Sequence, residues 1–296
     1  MEFKILVLVV ASDTYPSKRN KKIIEKTWAK DTSTDTKVLF YKSGDMTRFV
    51  KENEIILEVG KSTLDMSKKN ILAFQFALEN YDFDYIFRTT TASYVNLNLL
   101  RKYIDDNFTE EKNLYSGIIL ETNDHSGNNI KFINGAGIIF SRDVIKKIVK
   151  NREKLDFNLW DDVGIGKLLN QLKIIPKEGE RFDIKGNIFS QNISKRHYHY
   201  RCRIDNHYGY PRFLEFYVIK YLHKLINNKS TNKIFIKMWS TIFEIFKLFY
   251  IQYPFLKILL LFKKIIKFLM PNFLYTPLKK SFEKTYKKIM LRYFKY

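Results

Sequence analysis

The residues best suited to chemistry lie in three short segments of the 296-residue sequence. Asp161 and Asp162 are adjacent carboxylates that open a predicted helix, where acids can serve proton transfer or simply cap the helix and compensate its dipole. Asn134, Gly135 and Ala136 begin a run of small residues, NGAG, and glycine lets a backbone approach a ligand closely. The same run also fits a tight connection between strands that binds nothing.

The third segment, residues 197–203 (HYHYRCR), combines histidine, tyrosine and arginine. His197 and His199 are two residues apart, so on a strand they share one face, which permits chelation of a metal ion. No cluster of carboxylates accompanies them, and we therefore favour a basic strand in which His197, His199 and Arg201 bind a diphosphate. A plain surface strand is the alternative.

Alternating apolar runs and helical patterns predict an α/β fold, an open sheet flanked by helices. The continuous apolar run at 4–11 is typical of a central parallel strand. The run 134–137 is then a turn that precedes a strand at 138–140. Other strands are predicted at 36–41, 55–59, 85–88, 113–121 and 129–133, and helices at 17–29, 94–104, 143–151 and 161–172, with one more after Asp65.

Four motifs occur in a fixed order along this part of the chain. They are residues 22–28 (KIIEKTW), 85–97 (YIFRTTTASYVNL), 134–143 (NGAGIIFSRD) and 160–166 (WDDVGIG). Together they resemble the fringe and β-1,3-galactosyltransferase group, glycosyltransferase family 31. Each motif alone is weak, but four in register over residues 4–175 are moderately specific.

This resemblance implies a GT-A fold and transfer of a sugar from a nucleotide-sugar donor, UDP-linked, to a hydroxyl of a glycan acceptor. Asp162 matches the family position expected to be the general base of an inverting displacement, and Asp161 is the weaker candidate. Ser12 and Asp13 end the first strand, where contacts to the donor base or ribose are expected. A loop Asp that caps the following turn is the alternative there.

The sugar or the acceptor is expected near Asn134, Gly135 and Ala136. Trp160 precedes the acid pair, so it can stack on an acceptor ring, although packing is the commoner role of a tryptophan.

One departure from the family affects the metal. The family's Asp-Asp-Asp, which holds a divalent ion such as Mn²⁺ or Mg²⁺ against the diphosphate, aligns with Thr90, Thr91 and Ala92. Hard cations need anionic oxygen ligands, so the metal-binding role does not transfer to these positions. Thr90 and Thr91 stay candidates for donor contacts. The chain is metal-independent, recruits ligands elsewhere or is inactive, and we favour the first, with Arg88 or the cations of 195–203 neutralising the diphosphate.

Positive charge is concentrated in the last quarter of the chain. Residues 220–296 contain 17 Lys and Arg and two Glu, a net charge of +15 out of +21, so the preceding 219 residues carry only +6. The tail has helical patterns, and at 234–250 and 255–270 apolar faces are edged by lysines, as in helices that lie in a membrane interface. An ordinary helical subdomain is the alternative. We therefore divide the chain into a transferase domain, 1–212, and a basic amphipathic tail, 213–296, that contacts anionic lipids.

Composition limits the remaining classes of function. A nucleic-acid-binding protein explains the charge but not the four motifs, so we expect no nucleic-acid partner. A catalytically inactive glycan- or nucleotide-binding relative is the closest alternative, because the Asp-Asp-Asp is missing. The single cysteine fits a reducing compartment, and the sequence shows no amino-terminal anchor. We expect a cytoplasmic enzyme, peripheral on the cytosolic face of a membrane, that assembles a cell-surface or lipid-linked glycan.

Overall fold

The computed structural model describes residues 2–51, 53–62, 65–108, 111–123, 127–204, 210–228 and 233–251. Its strands are β1 (Glu2–Val10), β2 (Thr36–Gly44), β3 (Arg48–Lys51), β4 (Glu54–Glu58), β5 (Asp82–Thr90), β6 (Ser93–Val95), β7 (Tyr115–Asn123), β8 (Asn129–Ser141), β9 (Lys177–Glu178), β10 (Phe182–Asp183) and β11 (His199–Arg201). Its α-helices are α1 (Ser17–Ile24), α2 (Met66–Asn80), α3 (Leu97–Phe108), α4 (Arg142–Lys150), α5 (Asp161–Gln171), α6 (Glu215–Ile226) and α7 (Lys233–Ile251).

Eight strands form one mixed sheet in the order β3-β4-β2-β1-β5-β8-β7-β9. The central strands β4, β2, β1 and β5 are parallel, and β8 returns antiparallel between β5 and β7. The carboxyl ends of the four parallel strands therefore lie at one edge of the sheet, which is where ligands bind in open α/β folds. The predicted α/β fold with an open sheet flanked by helices is confirmed.

Strand β1 shows why this sequence folds as a layered sheet. Its residues alternate between two hydrophobic cores, with Ile5 and Val7 packed on one face and Leu6 and Leu8 on the other, all fully buried. A strand covered by helices on both faces needs a continuous apolar run, since both sets of side chains are inside. Helices α1, α3 and α6 pack on the first face, and α2, α4 and α5 on the second.

Two local predictions are wrong. The segment 94–104 does not begin as a helix: β6 pairs antiparallel with β11, and α3 starts only at Leu97. Asn96 marks the change, because its side-chain oxygen accepts the Leu99 N–H at 3.1 Å in the manner of an N-cap. The run 134–137 is not a turn either, since it lies inside β8.

The first part of the predicted tail packs against the core of the sheet domain. Helix α6 contributes Val218, Ile219 and Leu222 to the same hydrophobic cluster as α1. The buried Glu215 at its start accepts a hydrogen bond from Asn20 of α1 at 2.8 Å.

Helix α7 confirms the helical pattern at 234–250 and inserts Phe243 beside Phe189. Among the described helices, none combines the length and apolar character needed to cross a bilayer. The predicted membrane segment at 255–270 lies outside the described residues.

Candidate active site

Three elements meet where the parallel strands end. Strand β5 ends at Thr90, the middle of β8 runs beside it with Thr89 opposite Gly137, and α5 begins at Asp161. These elements bring together residues that are far apart in the sequence. The structure thus collects three of the four sequence motifs at one edge of the sheet.

The Asp162 carboxylate is held by two backbone N–H groups. Oδ2 accepts the Gly135 N–H at 2.8 Å, and Oδ1 accepts the Val163 N–H at 3.0 Å. Burial raises the pKa of Asp162, and the neighbouring charge of Asp161 raises it further. A carboxylate with a raised pKa takes up a proton more readily than an exposed one, as a general base must.

The Asp161 carboxylate accepts hydrogen bonds from side chains instead of backbone N–H groups. Its Oδ2 accepts hydrogen bonds from Arg88 Nη2 at 2.6 Å and from Asn70 Nδ2 at 2.8 Å. The Tyr41 hydroxyl donates to Asn70 Oδ1 at 2.7 Å and accepts from Arg88 Nε at 3.3 Å. The negative charge of Asp161 is therefore neutralised inside the protein, whereas Asp162 forms no ion pair with the residues that the structure describes.

The Arg88 side chain contacts both α5, through Asp161, and β8, through Gly135. It is only 3% exposed, and besides Asp161 it donates to the carbonyl oxygen of Gly135. Burial lowers the pKa of Arg88, but the charge of Asp161, the contact with Tyr41 and the charge of Asp162 together outweigh burial, so the pKa is raised. The predicted contact between Arg88 and the donor diphosphate would require these internal bonds to be exchanged. We call Arg88, Asn70, Asp161, Asp162 and Gly135 the acid-pair cluster.

Small residues in β8 make this packing feasible. A Cβ on Gly135 would lie 2.8 Å from Arg88 Nη1 and 3.1 Å from Asp162 Oδ2, and a Cβ on Gly137 would collide with the His199 ring. The glycines thus serve the close approach of side chains to a continuous strand and do not bend it. This is the physical reason why the predicted turn is absent.

Hydroxyl groups occupy the position that the resemblance assigns to metal ligands. Thr91 Oγ1 donates to Ser17 Oγ at 3.0 Å, and Thr90 Oγ1 accepts the Ala92 N–H at 3.2 Å. Ser17 Oγ also accepts the Ser12 N–H at 2.9 Å, which ties the ends of β1 and β5 together. We call Ser12, Ser17, Thr90 and Thr91 the hydroxyl cluster.

The hydroxyl cluster does not fit a hard divalent cation, because neutral hydroxyls carry no charge to offset it. Within the described residues, no group of three or more His, Cys, Asp or Glu side chains is arranged to hold a metal ion.

Asp13 lies beside the hydroxyl cluster but points elsewhere. Its carboxylate is exposed and pairs with Lys42 at 3.0 Å, and Lys42 in turn contacts Glu54 at 3.0 Å. Ser12 Oγ lies 2.8 Å from Thr14 Oγ1. Ser12 and Asp13 both lie in the loop after β1, where we expect the donor base or ribose. Donor binding by these two residues stays a prediction.

The basic segment, residues 197–203, places its two histidines in different surroundings. His199 is 1% exposed, its Nε2 lies 3.1 Å from Ser93 Oγ, and its ring contacts Phe87. Burial lowers the pKa of His199 well below its usual value, and the charges of Arg181 and Arg201 lower it further, so its imidazole is neutral.

His197 precedes β11 and packs its ring against Phe182 and Tyr200. The two imidazoles thus have different neighbours, in contrast to the shared face predicted for them. Arg201 is half-buried on β11.

Several residues at the site are missing from the sequence-based prediction. Arg181 donates to Asn134 Oδ1 at 2.8 Å and pairs with Asp183 at 2.6 Å, which fixes the Asn134 side chain beside the acid-pair cluster. Asn70 and Tyr41 lie on elements without a recognisable motif. The spacing of Arg181 and Asp183 is the one sequence signal that could have suggested an ion pair. Trp160, the residue predicted to stack on an acceptor ring, lies directly before the acid pair and is 69% exposed.

Comparison with known proteins decides the family. The Galactosyltransferase family model matches residues 19–180, more than half of the chain. The chain belongs to the galactosyltransferase family. The resemblance inferred from the four motifs is thereby confirmed, and the protein is a glycosyltransferase. The match contains the whole acid-pair cluster but neither Ser12 and Asp13 nor the basic segment 197–203.

Two solved structures that resemble this galactosyltransferase-family member have low similarity scores. A glycosyltransferase involved in the glycosylation of the major capsid of PBCV-1 shares 11% identity, with 74% of this chain and 99% of that chain covered and a TM-score of 0.44. The 2-C-methyl-D-erythritol 4-phosphate cytidylyltransferase of Francisella tularensis shares 10% identity, with 60% and 89% covered and a TM-score of 0.35. Both scores lie below 0.5, so neither similarity supports a statement about function. A search of curated protein sequences found no match.

Proposed function

We propose that this glycosyltransferase moves a sugar from a UDP-linked donor to a hydroxyl of a glycan acceptor, with inversion at the anomeric carbon. The proposal rests above all on Asp162, which two backbone N–H groups orient and whose raised pKa suits a base. The acceptor oxygen bonds to the anomeric carbon as the bond to the diphosphate breaks. The nucleoside diphosphate leaves with the bonding electrons, and Asp162 receives the hydroxyl proton.

Asp162→Asn tests the base directly, because an amide cannot take up the proton while its size is the same. General-base catalysis is worth about 10²–10⁴-fold, so we expect kcat to fall by roughly that factor. Asp106→Asn, which changes an exposed carboxylate on α3, is the matched control and should keep full activity. Equal activity of Asp162→Asn and wild type would remove the base assignment. A wild-type protein that binds donors but transfers none would indicate an inactive relative.

We also propose that the transfer needs no divalent metal, because Thr90, Thr91 and Ala92 stand where the family places carboxylates. Cationic side chains then neutralise the leaving diphosphate, as fixed charges near a developing anion do. Turnover in excess EDTA should equal turnover in Mn²⁺. Loss of activity in EDTA with recovery in Mn²⁺ would contradict the proposal.

The acceptor is proposed to be a cell-surface or lipid-linked glycan, and the exposed Trp160 is a platform for one of its rings. Trp160→Ala should raise KM for the acceptor and leave KM for the donor unchanged. An equal change in both constants would contradict the acceptor assignment.

We propose finally that the protein is cytoplasmic and binds the cytosolic face of a membrane through its basic tail. Support comes from the sequence of residues 255–270, where Lys263, Lys264 and Lys267 accompany a large apolar content. The full chain should co-sediment with vesicles that contain phosphatidylglycerol and only weakly with neutral phosphatidylcholine vesicles.

Changing Lys263, Lys264 and Lys267 together to Gln should weaken that binding. A matched triple change of exposed lysines on other helices should not weaken it; the control positions are Lys102, Lys146 and Lys150. Equal binding of both triple variants would remove the tail from the proposal, and tight DNA binding by the wild type would favour the nucleic-acid alternative.

A further inference from the structure

Lys69 is a buried lysine whose ammonium has no partner among the residues that the structure describes. It is 4% exposed, and its side chain makes no hydrogen bond or ion pair with them, while its backbone N–H donates to the Asp65 carbonyl oxygen. An ammonium has three donors, and burying it unpaired is costly, so such a group in a native fold calls for an explanation. Burial lowers the pKa of Lys69, as expected for an ammonium without a close anion.

The position of Lys69 connects it with the site. It lies in the first turn of α2, which starts at the edge where β4 ends, and it directly precedes Asn70 of the acid-pair cluster. Asp65, Arg88 and Asp161 all lie within electrostatic range of the ammonium. The Lys69 Nζ atom keeps a small opening to solvent.

The other cations described at this edge, Arg88 and Lys42, already have anionic partners. Arg88 is paired with Asp161 and bonded to Gly135, and the hydroxyl cluster contributes no charge. Lys69 therefore brings a positive charge with free donors to a site that must hold a diphosphate if the proposed function is right. A phosphate oxygen both accepts a charge-assisted hydrogen bond and offsets the charge, whereas a sugar hydroxyl does only the former.

We propose that Lys69 binds the diphosphate of the nucleotide-sugar donor and stabilises its negative charge as the sugar departs. This inference rests on the proposed function and adds a residue to it. Lys69 is then unpaired because its partner is the substrate.

Calorimetric titration in EDTA tests this on the full-length protein, with UDP, UMP and UDP-galactose as ligands. A hydrogen bond to a charged group is worth about 1.5–3 kcal/mol, so Lys69→Met should weaken UDP binding about tenfold or more. UDP-galactose should weaken by the same factor and UMP by less, because UMP lacks the second phosphate. Lys68→Met, which changes the exposed neighbour, is the matched control and should bind all three ligands normally.

The outcomes separate this inference from the proposed function. Unchanged UDP affinity in Lys69→Met would overturn the role of Lys69 and leave the proposed function intact. A loss confined to UDP-galactose would place Lys69 at a sugar hydroxyl and also overturn it. If the wild type binds no nucleotide diphosphate in EDTA or in Mn²⁺, the donor assignment fails, and the inference fails with it. Lys69→Gln keeps a polar side chain, and the same titrations on it apply if Lys69→Met does not fold.

Discussion

The acid-pair cluster and the hydroxyl cluster lie at the same edge of one sheet but are built on opposite principles. The first holds two half-buried carboxylates and a buried guanidinium and gives each several partners. The second joins the ends of β1 and β5 through single hydrogen bonds between neutral groups. A buried charge must be paired, so the first cluster tolerates little change, whereas a lost hydroxyl leaves at most one unsatisfied group. We therefore expect substitutions in the acid-pair cluster to lower the unfolding free energy more than substitutions in the hydroxyl cluster.

Removal of Arg88 should have the largest effect. Arg88→Met leaves Asp161 buried without its cation, and breaking such a pair costs about 3–5 kcal/mol of unfolding free energy. Arg152→Met, an exposed change in a 3₁₀ turn, should cost less than about 0.5 kcal/mol. Urea denaturation measures both. Adding Asp161→Asn to Arg88→Met should recover part of the loss, and a double variant less stable than Arg88→Met would contradict the pairing.

Asn70→Ala should have the next largest effect, because it removes a donor to Asp161 and leaves the buried Tyr41 hydroxyl without its acceptor. We expect a loss of about 2 kcal/mol in unfolding free energy. Asn107→Ala is a matched control, since the Asn107 side chain is exposed and bonds only to a carbonyl in its own helix. Equal losses in the two variants would mean that Asn70 does not support the acid pair.

Thr91→Val tests the hydroxyl cluster with a side chain of nearly the same shape. It removes one neutral hydrogen bond to Ser17, which is worth about 1 kcal/mol. Thermal unfolding should therefore show a smaller loss than for Asn70→Ala. A loss as large as that of Arg88→Met would show that the two clusters do not differ in the way described.

The pH dependence of catalysis should also differ between variants of the acid-pair cluster and of the hydroxyl cluster. Asp162 must be ionised to act as base, and its pKa is raised by burial and by Asp161, so kcat/KM should fall in acid at a higher pH than for an ordinary Asp. Asp161→Asn removes the neighbouring negative charge, which lowers the pKa of Asp162 and moves this acidic limb to lower pH. Thr91→Val should leave the limb in place. A limb that moves upward in Asp161→Asn would contradict the assignment.

The sequence predicted the sheet better than the site. The strand at 4–11 and the helix at 161–172 follow from local patterns, because a run buried on both faces and an amphipathic repeat can be read directly. The turn expected at 134–137 failed for the opposite reason. Glycine is compatible with a turn and with close packing, and only the positions of Arg88 and His199 show which applies.

Residue types and spacings along the chain were enough to indicate the family, the central strand at 4–11 and the acid pair, since these features are fixed covalently. Tertiary structure decided how the two acids divide their roles. Asp161 and Asp162 are neighbours with the same chemistry, yet one faces Arg88 and Asn70 and the other the Gly135 N–H. Contacts between residues 27 to 91 positions apart make that difference, and local pattern carries no information about them.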